Sequence, residues 1–159
     1  MRPLIRPALA DDQSAIVTLV RSERLNPTNL DWRRFTVAIS DGTLVGAVQV
    51  RHHKDGAREL GSLVVKPAFR RQSIAKTLID AVLRDVSDTV WIVTGRDNVG
   101  HYAAWGFVQA KPRMAPRSVR FNYRAGRAMR FVSLLRGVKP KYLTLLVRNG
   151  HPDWPSPSG

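Results

Sequence analysis

Two places in this sequence put reactive residue types at informative spacings. The first is the stretch Leu63-Val64-Val65-Lys66-Pro67-Ala68-Phe69-Arg70-Arg71-Gln72-Ser73-Ile74-Ala75-Lys76. It reads as an apolar strand, a proline-bearing turn, a basic loop with two small residues, and the start of a helix. A helix N-terminus offers unpaired backbone amides and a partial positive charge, which together attract anions. Small side chains at Ser73 and Ala75 let a phosphate approach the backbone, and Arg70, Arg71 and Lys76 add full charge. This is a pyrophosphate cradle, the plainer alternative being two arginines that solvate a turn. The second place is Tyr102-Ala103-Ala104-Trp105-Gly106-Phe107, preceded by Asn98. It sets a phenol, an acid at neutral pH, among aromatic neighbours against which it could equally pack.

Other titratable candidates are Glu59, at the start of an apolar strand, and His52, His53 and His101. Glu59 can serve as a base or pair with Arg58 or Arg51. His52 and His53 sit on adjacent strand positions and face opposite ways, so they make a poor metal-ligand pair. No metal site is expected.

The elements that must position these groups follow from periodicity. Leu4 to Leu9 reads as a strand, and Asp11-Asp12 opens a helix to about Arg24. Ala15, Ile16, Leu19 and Val20 lie on its apolar side, and Asp11 or Asp12 is the N-cap. Phe35 to Ser40, the Asp41-Gly42 turn and Leu44 to Val50 read as a hairpin. A second turn at Asp55-Gly56 leads to a strand over Glu59 to Val65. Helical spacing then runs from Gln72 to about Asp85, followed by a buried strand, Val90 to Thr94, and a short helix around Asn98 to Trp105. Gly106-Phe107-Val108 opens another strand. A long helix is expected over Arg117 to Leu135, with Phe121, Ala125, Ala128, Val132 and Leu135 as its apolar side and Arg120, Arg124 and Arg127 on a neighbouring stripe. Lys141 to Arg148 reads as the last strand.

The alternation describes one α/β domain over residues 1–149, with a Pro-, Ser- and Gly-rich tail over 150–159 expected to fray. The chain has 159 residues, enough for a core of its own, and no cysteine, which excludes disulfides, thiol nucleophiles and cysteine-held metal clusters. No apolar run is long enough to span a membrane, and the first residues lack a signal-peptide core, so a cytoplasmic protein is expected.

The two reactive stretches resemble the GNAT (GCN5-related N-acetyltransferase) superfamily. Arg70-x-x-Ser73-x-Ala75 resembles its acyl-CoA loop, Arg/Gln-x-x-Gly-x-Gly/Ala, with Ser73 where glycine is usual. Tyr102 to Phe107 resembles its Tyr-x-x-x-Gly-Phe segment. The resemblance covers about Leu4 to Val108 and implies a mixed, mostly antiparallel sheet of six to seven strands flanked by helices, with acetyl-CoA, the co-substrate, at a splayed strand pair. It implies transfer of an acetyl group to a primary amine by direct attack. Leu63, Val64, Val65, Arg70, Arg71, Gln72, Ser73, Ile74, Ala75, Lys76 and Asn98 would bind the co-substrate. Tyr102 would protonate the departing thiolate, Glu59 would take the proton of the amine, and a backbone amide at Val64 or Leu63 would meet the oxyanion.

The charge is lopsided: 26 basic against 12 acidic residues, formally +14, with no acid between Asp97 and Asp153. Within that interval lie Lys111, Arg113, Arg117, Arg120, Arg124, Arg127, Arg130, Arg136, Lys139, Lys141 and Arg148. Such a field disfavours cationic acceptors and favours anionic amines, such as amino acids or nucleotide-linked amino sugars, among the small-molecule or peptide amines that could be the acceptor. It also leaves open a non-catalytic acyl-CoA binder or a nucleic-acid-binding protein working through this arm. A homodimer through an exposed strand edge is a further expectation.

Overall fold

A computed structural model of the chain describes residues 2–135 and 142–150. Residues 151–159 of the expected tail, and Arg136, Lys139 and Lys141, lie outside the described residues, as do the side chains of Arg130, Val132 and Leu135. Among the described residues seven strands form a mixed sheet in the order β1-β2-β3-β4-β5-β7-β6, accompanied by four α-helices. Two compact units divide the fold.

The first unit comprises the chain up to Arg51 together with Leu60–Val86. Strand β1 (Leu4–Pro7) pairs antiparallel with β2 (Phe35–Ser40), which pairs antiparallel with β3 (Thr43–His52). The hairpin turns at Asp41 and Gly42, both at positive φ (48° and 72°), as an Asp-Gly turn of the primed type requires. Helix α1 (Gln13–Ser22) follows a 3-10 turn at Ala10–Asp12 and buries Ile16, Leu19 and Val20. Ala15, expected on that face, is exposed, since it falls on the solvent side of the turn. Asp12 stands at the N-cap position without capping α1. Its carboxylate is turned back to the Leu9 amide (2.7 Å) and to the Arg6 guanidinium (2.6 and 3.1 Å), because an arginine fork outcompetes a neutral amide.

Strand β4 (Arg58–Val65) carries Leu60 and Val64 into the core, and helix α2 (Ile74–Leu83) buries Ile74, Leu78, Ile79 and Leu83. Gly46 in β3 is what lets α2 lie close. A Cβ there would stand 3.1 Å from Leu78, 3.2 Å from the Val64 carbonyl oxygen and 3.3 Å from Ile74.

The second unit comprises His52–Glu59 and the described residues from Ser87 to Gly150. Strand β5 (Val90–Gly95) pairs antiparallel with β7 (Leu143–Arg148), and β7 pairs antiparallel with β6 (Val108–Ala110). Short helix α3 (Val99–Tyr102) lies between two 3-10 turns, and Gly106 at φ 77° ends that run as a left-handed cap. The long helix α4 (Arg117–Leu135) begins and ends where the periodicity sets it.

The buried face of α4 differs from the expected one. Val119 is fully buried, with Tyr123 packed partly against the same cluster of Ala57, Trp91, Ala115, Leu145 and Val147. Gly126 continues this face and comes close to Leu143. Phe121 is 72% exposed, and Ala125 and Ala128 are exposed with it. The apolar spacing of α4 contains two candidate stripes, and the sheet took the one anchored by Val119. Shape explains the choice: a glycine at position 126 admits the strand closely, whereas Phe121 does not.

Candidate functional site

The basic loop of the first unit is a cradle in backbone terms. Beyond β4 the chain makes a 3-10 turn at Pro67–Phe69, then bends through Arg71 (φ 62°) and Ser73 (φ 59°) before α2 begins. Two left-handed residues in three turn successive amides toward one side. Ser73 is the N-cap of α2, yet its side chain makes no capping bond, so the first amides of the helix receive no side-chain cap. Only the far side of Ser73 is engaged: its carbonyl accepts from the Thr77 amide and hydroxyl, both at 3.0 Å.

The serine departure is thereby answered. Ser73 adopts the left-handed conformation a glycine would take, and bears the steric cost of its Cβ there.

The cations of this loop are engaged unequally. Arg70 donates from Nε to the Val65 carbonyl (3.1 Å) and from Nη2 to Glu23 Oε2 (2.5 Å). Lys76 pairs with Asp80 one turn on, at 2.9 Å. Arg71 is exposed and, among the described residues, pairs with no carboxylate. Leu63 is half-buried and Val64 and Val65 are buried; Gln72 and Ser73 are exposed, Ile74 is buried and Ala75 is half-buried. Arg71, Gln72, Ser73, Ala75 and Lys76 thus present backbone and charge, while Val64, Val65 and Ile74 hold the loop to the core.

Periodicity did not signal a buried polar cluster beside it. Ser62 breaks the run of β4 at φ 51° and is buried with Gln49 and Arg51. The Ser62 hydroxyl lies 3.0 Å from Arg51 Nη2 and 2.9 Å from the Gln49 amide. With the Gln49 carbonyl oxygen turned to Arg51, its NH2 donates to the Asn29 carbonyl at 3.3 Å, leaving each group satisfied.

In the second unit, Tyr102 ends α3 and is 7% exposed. Its ring packs tilted on Trp105 (6.5 Å between centroids) and edge-on to Phe107 (6.0 Å). Tyr102 is thus packed against both of the aromatic neighbours that the sequence sets beside it. Burial pushes the phenol's pKa upward, while a hydrogen bond with Thr94 pulls part of it back. Thr94 Oγ1 also accepts from Asn98 Nδ2 at 3.2 Å. Asn98 and Tyr102 are joined through a threonine that the motif does not contain.

Glu59 is 2% exposed, and its Oε2 accepts from His53 Nε2 (2.9 Å) and Asn122 Nδ2 (2.8 Å). Arg58, one of its expected partners, pairs instead with Asp88 at 2.6 Å. Of the other histidines, His52 and His101 are exposed. Asn122 was not singled out because it is sixty-three residues away in sequence, on a helix whose buried face was misplaced. Among the described residues no cluster of three or more metal-ligating side chains occurs.

Comparison with known proteins defines the class. The acetyltransferase (GNAT) family model matches residues 6–107, the span of both reactive stretches. The chain belongs to that family. No curated protein sequence matches it. In fold it is similar to N-acetylglutamate synthase from Neisseria gonorrhoeae, solved with coenzyme A and N-acetyl-glutamate (TM-score 0.73, 18% identity, 95% of this chain and 36% of that one). It is also similar to a Mycobacterium tuberculosis protein solved with CoA (TM-score 0.68, 18% identity, 91% and 98%). A third is the diaminobutyrate acetyltransferase EctA of Paenibacillus lautus (TM-score 0.64, 14% identity, 96% and 98%). The chain spans about a third of the synthase's length.

Proposed function

We propose that the chain is an acetyl-CoA-dependent N-acetyltransferase whose acceptor is a small anionic amine of the amino-acid type. The observation that carries this reading is the uncapped N-terminus of α2 behind the left-handed Arg71 and Ser73. It fits a pyrophosphate: amides without side-chain caps, an exposed guanidinium at Arg71, and no bulky side chain at Ser73 or Ala75. Asn98 is the weaker binding candidate, since its amide is engaged with Thr94.

When bound, acetyl-CoA supplies a thioester carbonyl open to attack by an amine. The chain's residues handle the protons. Glu59 accepts one from the acceptor's ammonium, directly or through water, so that nitrogen has a lone pair. His53 and Asn122 fix the carboxylate that does this. The N–C bond forms and the C–S bond breaks; Tyr102 gives its phenolic proton to the sulfur, and the second proton that the nitrogen must lose to become an amide passes to water. Thr94 supports the phenolate that remains. The backbone amide of Leu63 or Val64 meets the oxyanion.

An anionic acceptor suits a chain with a formal charge of +14, and the structures similar in fold include proteins solved with N-acetyl-glutamate and with diaminobutyric acid. Residues 1–149 are read as the catalytic domain.

Calorimetric titration with acetyl-CoA, on the parent and on Tyr102→Phe, tests this. Binding in the micromolar range is expected for both, with turnover in the variant down about 10²- to 10⁴-fold. Absence of binding in the parent would remove the proposal, and equal turnover would remove Tyr102 as the acid.

A further inference from the structure

Acetyl transfer leaves the outer face of α4 unexplained. Arg117, Arg120, Arg124 and Arg127 recur at i, i+3, i+7 and i+10, so they form one stripe, about 15 Å long at the helical rise. Phe121 borders it, with Arg117 one turn behind and Arg124 one turn ahead, and its ring is 72% exposed. Arg127 already lies over an aromatic face, 5.7 Å from the centroid of Tyr123.

Arg6, Arg33, Arg58, Arg70 and Lys76 each pair with a carboxylate. Among the described residues Arg117, Arg120, Arg124 and Arg127 pair with none, nor do the exposed Lys111 and Arg113 just ahead of the helix. The acid nearest that end, Asp55, is turned to the amide (3.0 Å) and hydroxyl (2.9 Å) of Ser118. Like charges one turn apart repel, and an exposed aromatic ring costs hydration. The complement of both together is a polyanion that carries flat apolar groups.

We propose that this face of α4 binds single-stranded nucleic acid, the guanidiniums on successive phosphates and the Phe121 ring against an unpaired base. Arginine matches phosphate in a bidentate fork, and base–aromatic stacking tolerates sequence. A duplex keeps its bases stacked away from such a ring. A membrane surface calls for several bulky apolar residues, whereas among the described side chains the stripe beyond Phe121 offers Ala125, Ala128 and Met129. A second copy would bring arginine to arginine.

The test is fluorescence anisotropy of labelled oligothymidylate, about twenty nucleotides long, against a salt series. The log–log salt slope should be about −3, the value for four phosphates contacted on a single strand. Replacing Arg124 and Arg127 together by Gln should reduce that slope in magnitude by one to two (roughly), uniformly across sequences. Phe121→Ala should weaken binding about fivefold or more without moving the slope, and Phe121→Trp should restore it.

The proposal fails if the duplex binds as tightly and Phe121→Ala changes nothing, since the contact is then charge alone. It fails if CoA displaces the oligonucleotide, because the stripe then belongs to the co-substrate. It fails likewise if phosphatidylglycerol vesicles bind in a Phe121-dependent way and the oligonucleotide does not. Acetyl-CoA titration of the same variants should be unchanged, which separates this outcome from that of the transferase reading.

Discussion

Ser73 and Tyr102 carry the argument at the scale of single residues. Ser73 holds φ 59° with a Cβ in place, a conformation that costs about 1 kcal/mol more than it would for glycine. Ser73→Gly should therefore raise stability by up to about 1 kcal/mol in chemical denaturation, offset in part by the greater freedom of the unfolded chain. Its acetyl-CoA affinity should hold or improve. A loss of affinity would mean that the hydroxyl itself contacts the ligand. Tyr102 is governed by burial, which lifts its pKa above the ordinary value of about 10. A raised pKa keeps the acid protonated through neutrality, so any loss of turnover from this group comes on the alkaline side, above that ordinary value. The kcat–pH profile checks this: the alkaline limb should vanish in Tyr102→Phe, where no phenol is left to ionise. Motif spacing made Tyr102 legible. Thr94, His53 and Asn122 were not, because hydroxyl, imidazole and amide partners are chosen by the packed backbone and leave no periodic mark.

Elements were easier to read than their contacts. The Asp-Gly turn, the strand–loop–helix of the cradle and the span of α4 follow from local chemistry, and their limits agree within a few residues. What failed was the choice between two apolar stripes on α4, and no local rule arbitrates that. Packing at the level of elements makes two predictions. Gly46→Ala places a methyl against Leu78, Ile74 and the Val64 carbonyl at once, and the last of these is backbone and cannot yield. It should destabilise the protein by about 1–3 kcal/mol and weaken acetyl-CoA binding by shifting the start of α2. The Arg6–Asp12 pair closes the entry to α1, and the guanidinium, then the Leu9 amide, hold the Asp12 carboxyl below its usual pKa. A depressed pKa gives stability that is present above the ordinary carboxylate range and lost as pH falls through the folded value. Asp12→Asn should cost about 1 kcal/mol at neutral pH, and the difference from the parent should close in acid melts.

At the scale of the whole molecule, family membership and the open sheet were foreseeable because two motifs, far apart in sequence, fell on strand–helix units in the right order. The charge asymmetry was equally visible, and periodicity set Arg120, Arg124 and Arg127 on one stripe; what it could not say is that the Phe121 ring beside them stays exposed. Ligand linkage supplies the check at this scale. Acetyl-CoA at about a hundred times its Kd should stabilise the native chain by about 2.7 kcal/mol, read as a rise in melting temperature that depends on its concentration.

The Arg70–Glu23 bridge has a reciprocal meaning. Glu23 is the residue that ends α1, forty-seven positions before its partner, and the segment 24–31 follows directly from it. A phosphate that took the Arg70 guanidinium away from Glu23 would release that carboxylate and loosen the end of α1. Linkage runs both ways: whatever pins the segment after α1, an acceptor included, would hold Glu23 on Arg70 and lower affinity for the phosphate by the same factor. Two ligands of such a chain would then sense each other without touching, through one shared cation.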